Sequence, residues 1–321
     1  MSNKKKLSLI ALLSTVLIVG AFTSSAIAEW KPAGPIKLIA TFRPGGGVDT
    51  QARLIAEELQ KRHGWKIIPE NIAGKGGIIG LKAMKKGPND GTVIAMTASE
   101  ALGYNMVVSK KSGLKLDDFT GLTTTALAQM GIVAMTKKGW KTFHDVVNIA
   151  KKGQKIRFGA MSQKLADIAY LLGKAQGVQF NIVSVKGGRA VMNGLVAGDL
   201  DVGFVAGIQA KAVRAGDMVN LASGMSIPLT LSPNAPLMKE FGVEFDGDAY
   251  FMFAAPAGVP KEAQQAIIDA IVEIVQDPST KAGGYIKKAF GKATTLNGAE
   301  LKRFLDDQYR ASSKLLKAVS Q

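Results

Sequence analysis

The sequence predicts an α/β protein of two similar lobes, each a mixed sheet flanked by helices. Three observations point there. A strand, a glycine-rich loop and a helix follow one another twice between residues 35 and 97. The same alternation restarts near Met130. The chain has 321 residues, more than one compact core usually supports. Its 47% hydrophobic content excludes a disordered chain, and its 36 glycines follow no collagen-like period.

Residues 1–28 have the layout of a secretory signal peptide. Lys4-Lys5-Lys6 precede an apolar run over 7–22, and Ala26 and Ala28 supply small residues for cleavage after Ala28, so the mature chain is expected to start at Glu29. The run is short for a membrane span, which takes roughly 20 residues. Cleavage removes three lysines and no acids, which lowers the formal charge from +16 to 38 − 25 = +13.

The first mature strand is expected over 35–42, entering the loop Arg43-Pro44-Gly45-Gly46-Gly47-Val48-Asp49. A helix over 50–63 follows, with Asp49 as its N-cap, Gly64 as its stop, and Glu57/Lys61 and Glu58/Arg62 as i,i+4 pairs. A strand over 65–70, a glycine loop over 71–77, a helix over 78–86 and a strand over 92–97 complete a βαβαβ unit. The second unit has strands at 132–136, 155–160, 180–185, 201–205 and 218–223, and helices at 143–151, 167–176 and 189–197. A strand over 250–255 then precedes a helix that starts with Pro260 at its first position. Asn297 with Glu300 predicts a capping box for the final helix. The lobes are assigned to 29–128 with 250–321, and to 129–249, joined by crossing strands.

Composition removes several chemistries. With no cysteine there is no disulfide, thiolate metal site, cysteine nucleophile or lipid-modified N-terminal cysteine. His63 and His144 are the only histidines, too few for a multi-histidine metal centre. No serine lies in a G-x-S-x-G elbow. Asp199/Asp201 and Asp246/Asp248 lack the remaining oxygen ligands of a calcium loop. The lysines are scattered in pairs without interleaved aromatics, which argues against nucleic acid. No cofactor and no metal are expected.

Two loops favour anions. A strand running through Pro44-Gly45-Gly46-Gly47 into a helix start gathers unhindered backbone N–H groups at the positive end of a helix dipole. Glycines serving only a tight turn would look the same. The loop is not a nucleotide P-loop, and the 74–80 loop misses G-x-G-x-x-G because Ile79 stands at the third glycine. Ser184-Val185-Lys186-Gly187-Gly188-Arg189 repeats the arrangement in the second lobe. One such loop per lobe suggests a ligand clamped between lobes, with Arg43 and Lys186 adding charge.

Over essentially the whole mature chain the sequence resembles the solute receptors of tripartite tricarboxylate transporters, the Bug receptors. The resemblance rests on Pro35-Ile36-Lys37-Leu38-Ile39, the run from Phe42 to Asp49 with Ala52-Arg53, and Asn71 with Gly74, Gly76, Gly77 and Gly80. It continues through Asp90-Gly91, Lys186-Gly187-Gly188, Gly198-Asp199-Leu200-Asp201-Val202, Ala255-Pro256-Ala257-Gly258-Val259-Pro260 and Asp277-Pro278. It implies a two-lobed periplasmic binding protein of the type II-like, Venus-flytrap kind. Such a monomer would close on a small organic di- or tricarboxylate and deliver it to membrane permease subunits, without catalysis. Carried over by position, the implied ligand-binding residues are Phe42, Arg43, Gly46, Gly47, Asp49, Gly76, Ser162, Gln163, Lys186, Gly187 and Gly188. The chain departs from the pattern where Arg43 replaces a small or apolar residue, where Val185 replaces an aromatic, and where 159–167 lacks a histidine. The alternatives are an exported α/β enzyme acting on a small anion, and a basic protein that binds envelope polyanions without discrimination.

Overall fold

A computed structural model describes residues 30–321, so the expected signal peptide lies outside the described residues. In the first half of the chain, β1 (Ile36–Ala40) leads into α1 (Gly47–His63), β2 (Ile67–Asn71) into α2 (Ile78–Lys85), and β3 (Val93–Ala98) into α3 (Tyr104–Val108). Val48, Ala52, Ile55 and Leu59 form one buried stripe along α1, and Gly64 ends the helix in the left-handed region at φ 70°. The helix starts earlier than expected. Gly46 is its N-cap, and Asp49 lies within the first turn, where its carboxylate accepts from the Gly45 N–H at 2.8 Å. Glu58 pairs with Arg62 at 3.8 Å, whereas Glu57 pairs with Lys281 instead of Lys61.

β4 (Phe119–Leu127), a nine-residue strand the sequence reading passed over, ends this half. The next five strands are β5 (Met130–Met135), β6 (Arg157–Ala160), β7 (Asn181–Ser184), β8 (Val202–Ala206) and β9 (Met218–Ser223). Between them lie α4 (Phe143–Lys151), α5 (Gln163–Ala175), α6 (Gly188–Ala197) and α7 (Ala210–Arg214). α5 starts four residues before the expected 167, because Ser162 caps it by accepting from the Leu165 N–H. The chain then returns through β10 (Tyr250–Pro256), α8 (Lys261–Gln276), α9 (Lys281–Phe290) and α10 (Gly298–Ser320). Pro260 is the N-cap of α8 and not its first helical residue, and Asn297 caps α10 without a side-chain hydrogen bond, so the predicted capping box does not form.

The strands form two mixed five-stranded sheets, ordered β2-β1-β3-β10-β4 and β7-β6-β8-β5-β9. β1 is parallel to β2 and β3, and β6 is parallel to β7 and β8. β10 runs antiparallel between β3 and β4, and β5 antiparallel between β8 and β9. The first sheet packs Ile39, Ala95 and Met252 against Leu81, Met84, Leu301 and Leu305. The second packs Ile132, Phe158 and Phe204 against Phe143, Leu165 and Leu172. Tyr104 of α3 and Leu315 of α10 also belong to that second core, although α3 follows a strand of the first sheet and α10 begins on its core. Tyr104 Oη donates to Asp167 of α5 at 2.5 Å. Helices anchored on one sheet therefore finish against the other.

Candidate ligand cleft

A cleft of about 620 Å³ lies at the C-terminal ends of both sheets. Its walls are the loops after β1 (Phe42, Arg43), β2 (Gly74, Lys75, Gly76), β6 (Met161, Ser162, Gln163) and β7 (Val185, Lys186, Gly187), closed by Leu316 and Val319 of α10. A smaller chamber of about 50 Å³ shares Phe42, Arg43, Met161, Lys186 and Gly187 with it. That chamber is lined by residues following β1, β3, β6 and β8, among them Gly46, Gly47, Glu100 and Ile208. In each sheet the chain steps to one side of β1 or β6 and then returns to the other. The chamber thus sits at the topological switch point of both sheets, the position where open α/β sheets take ligands.

The β1–α1 junction is tightly braced. Asp49 is 4% exposed, and its carboxylate accepts from the Gly45 N–H, from Arg53 Nε at 2.9 Å and from Asn71 Nδ2 at 2.8 Å. Asn71 Nδ2 also donates to the Phe42 carbonyl at 3.0 Å. Gly47 is required by close approach, since a Cβ there would meet the Phe251 ring at 2.8 Å. α1 starts at Gly46 with no side-chain cap, so its first N–H groups take no hydrogen bond from the capping residue's side chain.

The β7–α6 junction has the same plan with less support. α6 starts at Gly187, φ 100°, again with no side-chain cap. The Gly187 N–H donates back to the Val185 carbonyl at 3.2 Å. Arg189 Nε donates to the Gly45 carbonyl at 3.2 Å, so the two junctions meet. Two helices from two sheets therefore present uncapped N-termini to one chamber lined by Gly46, Gly47, Gly187 and Gly188. Exposed Arg43, Lys75, Lys186 and Arg189 add positive charge around it.

The structure brings ten of the eleven sequence-predicted residues to these walls: Phe42, Arg43, Gly46, Gly47, Gly76, Ser162, Gln163, Lys186, Gly187 and Gly188. Asp49 stands behind the loop and shapes it. Gln163 donates to Asp167 at 2.9 Å, which ties the start of α5 to its next turn. Sequence reasoning missed Lys75, Asn105, Glu100, Phe251, Leu316 and Val319. Lys75 carried a signal, because it lies between glycines, and it is the non-glycine residue with positive φ among the described residues, at 48°. Glu100 is 5% exposed, and burial raises its pKa above the usual carboxylate range, against the lowering effect of Lys164, Ser162 and Asn105. Among the described residues no group of three or more His, Cys, Asp or Glu is placed to hold a metal, and no helix is long and apolar enough to cross a membrane.

Residues 51–320 match the model of the tripartite tricarboxylate transporter family receptor. BugT of Bordetella pertussis is 27% identical over 261 residues, 78% of this chain and 79% of that protein. The fold is that of the periplasmic binding protein BugD, with a TM-score of 0.80 at 21% identity over 90% of this chain and 99% of that one. MatC from Rhodopseudomonas palustris with bound malate superposes with a TM-score of 0.76 at 19% identity, covering 89% of this chain and 99% of that one. With two mixed sheets, a cleft at their shared switch point and a family match over most of its length, the chain belongs to the solute-receptor family of the tripartite tricarboxylate transporters.

Proposed function

We propose that this receptor binds a small organic carboxylate in the cleft, using the N-termini of α1 and α6 as its anion cradle. The carrying observation is that both helices start at glycine caps without a side-chain acceptor and open into one chamber. A carboxylate there accepts charge-assisted hydrogen bonds from backbone N–H groups and gains from both helix dipoles. Arg43 and Lys186 draw it in from solvent. The malate in the name of the related fold agrees with this ligand class.

In this reading the units 29–128 with 250–321, and 129–249, are lobes that close on the ligand and exclude water, which strengthens every hydrogen bond inside. The chain is exported to the periplasm, loses residues 1–28, acts as a monomer without catalysis, and hands its ligand to permease subunits. A thermal-shift panel of mono-, di- and tricarboxylates tests the reading. A ligand at a hundred times its dissociation constant should add about 2.7 kcal/mol. It should also be recovered chemically unchanged. If no organic anion moves the midpoint, the carboxylate reading is wrong, and turnover of the ligand would replace it with the enzyme alternative.

A further inference from the structure

Glu100 does not fit a cradle built only for anions. It follows β3 in the turn 99–101 and lines the inner chamber, whose other walls include Ala98, Met130, Ala206, Ile208 and Phe251. It is the single acidic residue among the lining residues of that chamber. Its Oε2 is fully buried and has no hydrogen-bond partner. The groups that face the carboxyl are Lys164, Ser162 and Asn105. Ser162 and Asn105 hydrogen-bond the carboxyl and Lys164 acts on it by its charge, yet none of the three is bonded to Oε2, and each also has a second contact. Lys164 Nζ donates to the Asp248 carbonyl at 3.2 Å, Asn105 Nδ2 to the Gly76 carbonyl at 3.1 Å, and Ser162 Oγ accepts from the Leu165 N–H.

A buried carboxyl oxygen without a donor is costly, and native interiors rarely keep one except for a purpose. The inner chamber offers a purpose by its layout. Its lining combines the two helix N-termini at Gly47 and Gly188, apolar side chains and one acidic group, Glu100. We infer that Glu100 is a ligand-facing, specificity-determining residue, and that the cleft selects an organic acid carrying one carboxylate and a hydroxyl or ammonium donor at its other end. The inference rests on the carboxylate reading above and narrows it. A second carboxylate would bring negative charge against Glu100 in a dry chamber, and a methyl would leave Oε2 unpaired. The ordered preference is therefore ammonium or hydroxyl first, methyl next, carboxylate last.

The experiment is calorimetric titration of the full mature chain with four matched probes: γ-aminobutyrate, γ-hydroxybutyrate, valerate and glutarate. A donor-ended probe should bind at least about tenfold more tightly than valerate and glutarate, the size expected for a hydrogen bond to a buried charged group. In Glu100→Gln, folded by circular dichroism, the ammonium preference should fall below about threefold and glutarate should gain affinity. Tighter binding of glutarate by the unaltered chain would overturn the inference and leave the carboxylate reading standing. So would discrimination among the probes that Glu100→Gln leaves unchanged. Absence of binding by all four probes, together with every other carboxylate tested, would overturn both.

Discussion

The β1–α1 and β7–α6 junctions have the same plan, a strand, a glycine pair and an uncapped helix, yet they are supported in different ways. Behind the first stands Asp49, buried and holding Gly45, Arg53 and Asn71 at once. Among the described residues no carboxylate accepts from the backbone of the second, and the buried Asp167 at the cleft holds Tyr104 and Gln163 instead. Its half of the molecule has a second buried aspartate, Asp201, but at the opposite end of the sheet, where it accepts from Arg157 Nε and Nη2 at 3.0 Å and from Lys138 Nζ at 2.7 Å. Arg157 opens β6, whereas Ala160 at the other end of that strand faces the cleft. One brace shapes the β1–α1 loop and the other holds the sheet far from it. In the proposed reading the first junction is the preorganised side of the cradle and the second the less braced side.

The largest effect should come from removing the first brace. Asp49→Ala leaves the Gly45 N–H and the Asn71 amide without their shared acceptor. It is expected to weaken carboxylate binding by about a hundredfold and to lower stability by about 2 kcal/mol, measured by calorimetry and urea denaturation. Asp201→Ala should match that loss of stability and leave affinity within about threefold in the protein that remains folded. Equal effects of both substitutions on affinity would remove the distinction between the braces.

The glycines sharpen it further. At Gly47 a new Cβ meets Phe251 at 2.8 Å, whereas at Gly188 the nearest atom is Ile208 Cδ1 at 3.4 Å, an ordinary contact. Gly47→Ala should cost about tenfold or more in affinity, and Gly188→Ala no more than about threefold. Smaller again are the exposed cations. Arg43→Ala and Lys186→Ala should each weaken binding by about three- to tenfold at low ionic strength, and the difference should shrink in high salt.

The pH response is smallest near neutrality, and the buried Asp201 of the second sheet contributes to its acid limb. Burial alone would raise the Asp201 pKa, but hydrogen bonds from Arg157 and Lys138 outweigh it and hold the group at about 2. A pKa lowered by folding contributes stability above the unfolded value, about 3.9, and loses it as the pH falls toward 2. Thermal midpoints should therefore drop between about pH 4 and pH 2, and Asp201→Asn should flatten that part of the profile.

Much of this architecture was legible in the residues. The α4 span was read without error, since Asp145 accepts from the Lys141 and Thr142 N–H groups and Phe143, Val146 and Val147 give one buried face. The glycine junctions were also visible, because a strand pattern, several glycines and a helix pattern follow one another in the sequence. β4 was not visible, and its threonines explain why. Thr123, Thr124 and Thr125 are fully buried, their hydroxyls spent on the Thr124 and Thr294 carbonyls and on Gln51, so a buried strand at the edge of its sheet reads as polar. Asp49 was misplaced for a related reason. An aspartate before an apolar helix reads as its cap, but here glycine occupies that position and leaves the helix end open. The walls formed by Asn105 and Leu316 depend on α3 and α10 crossing between sheets, which no local spacing reveals.

The most direct measurement is a ¹⁵N-resolved NMR titration of the mature chain with the tightest-binding carboxylate from the panel, following the amides of Gly46, Gly47, Gly188 and Arg189. Amide protons that donate to a carboxylate move downfield, so all four should shift together and saturate at the calorimetric stoichiometry, with the largest changes at Gly46 and Gly47. Saturating binding that leaves these four amides in place and moves others would contradict the anion cradle.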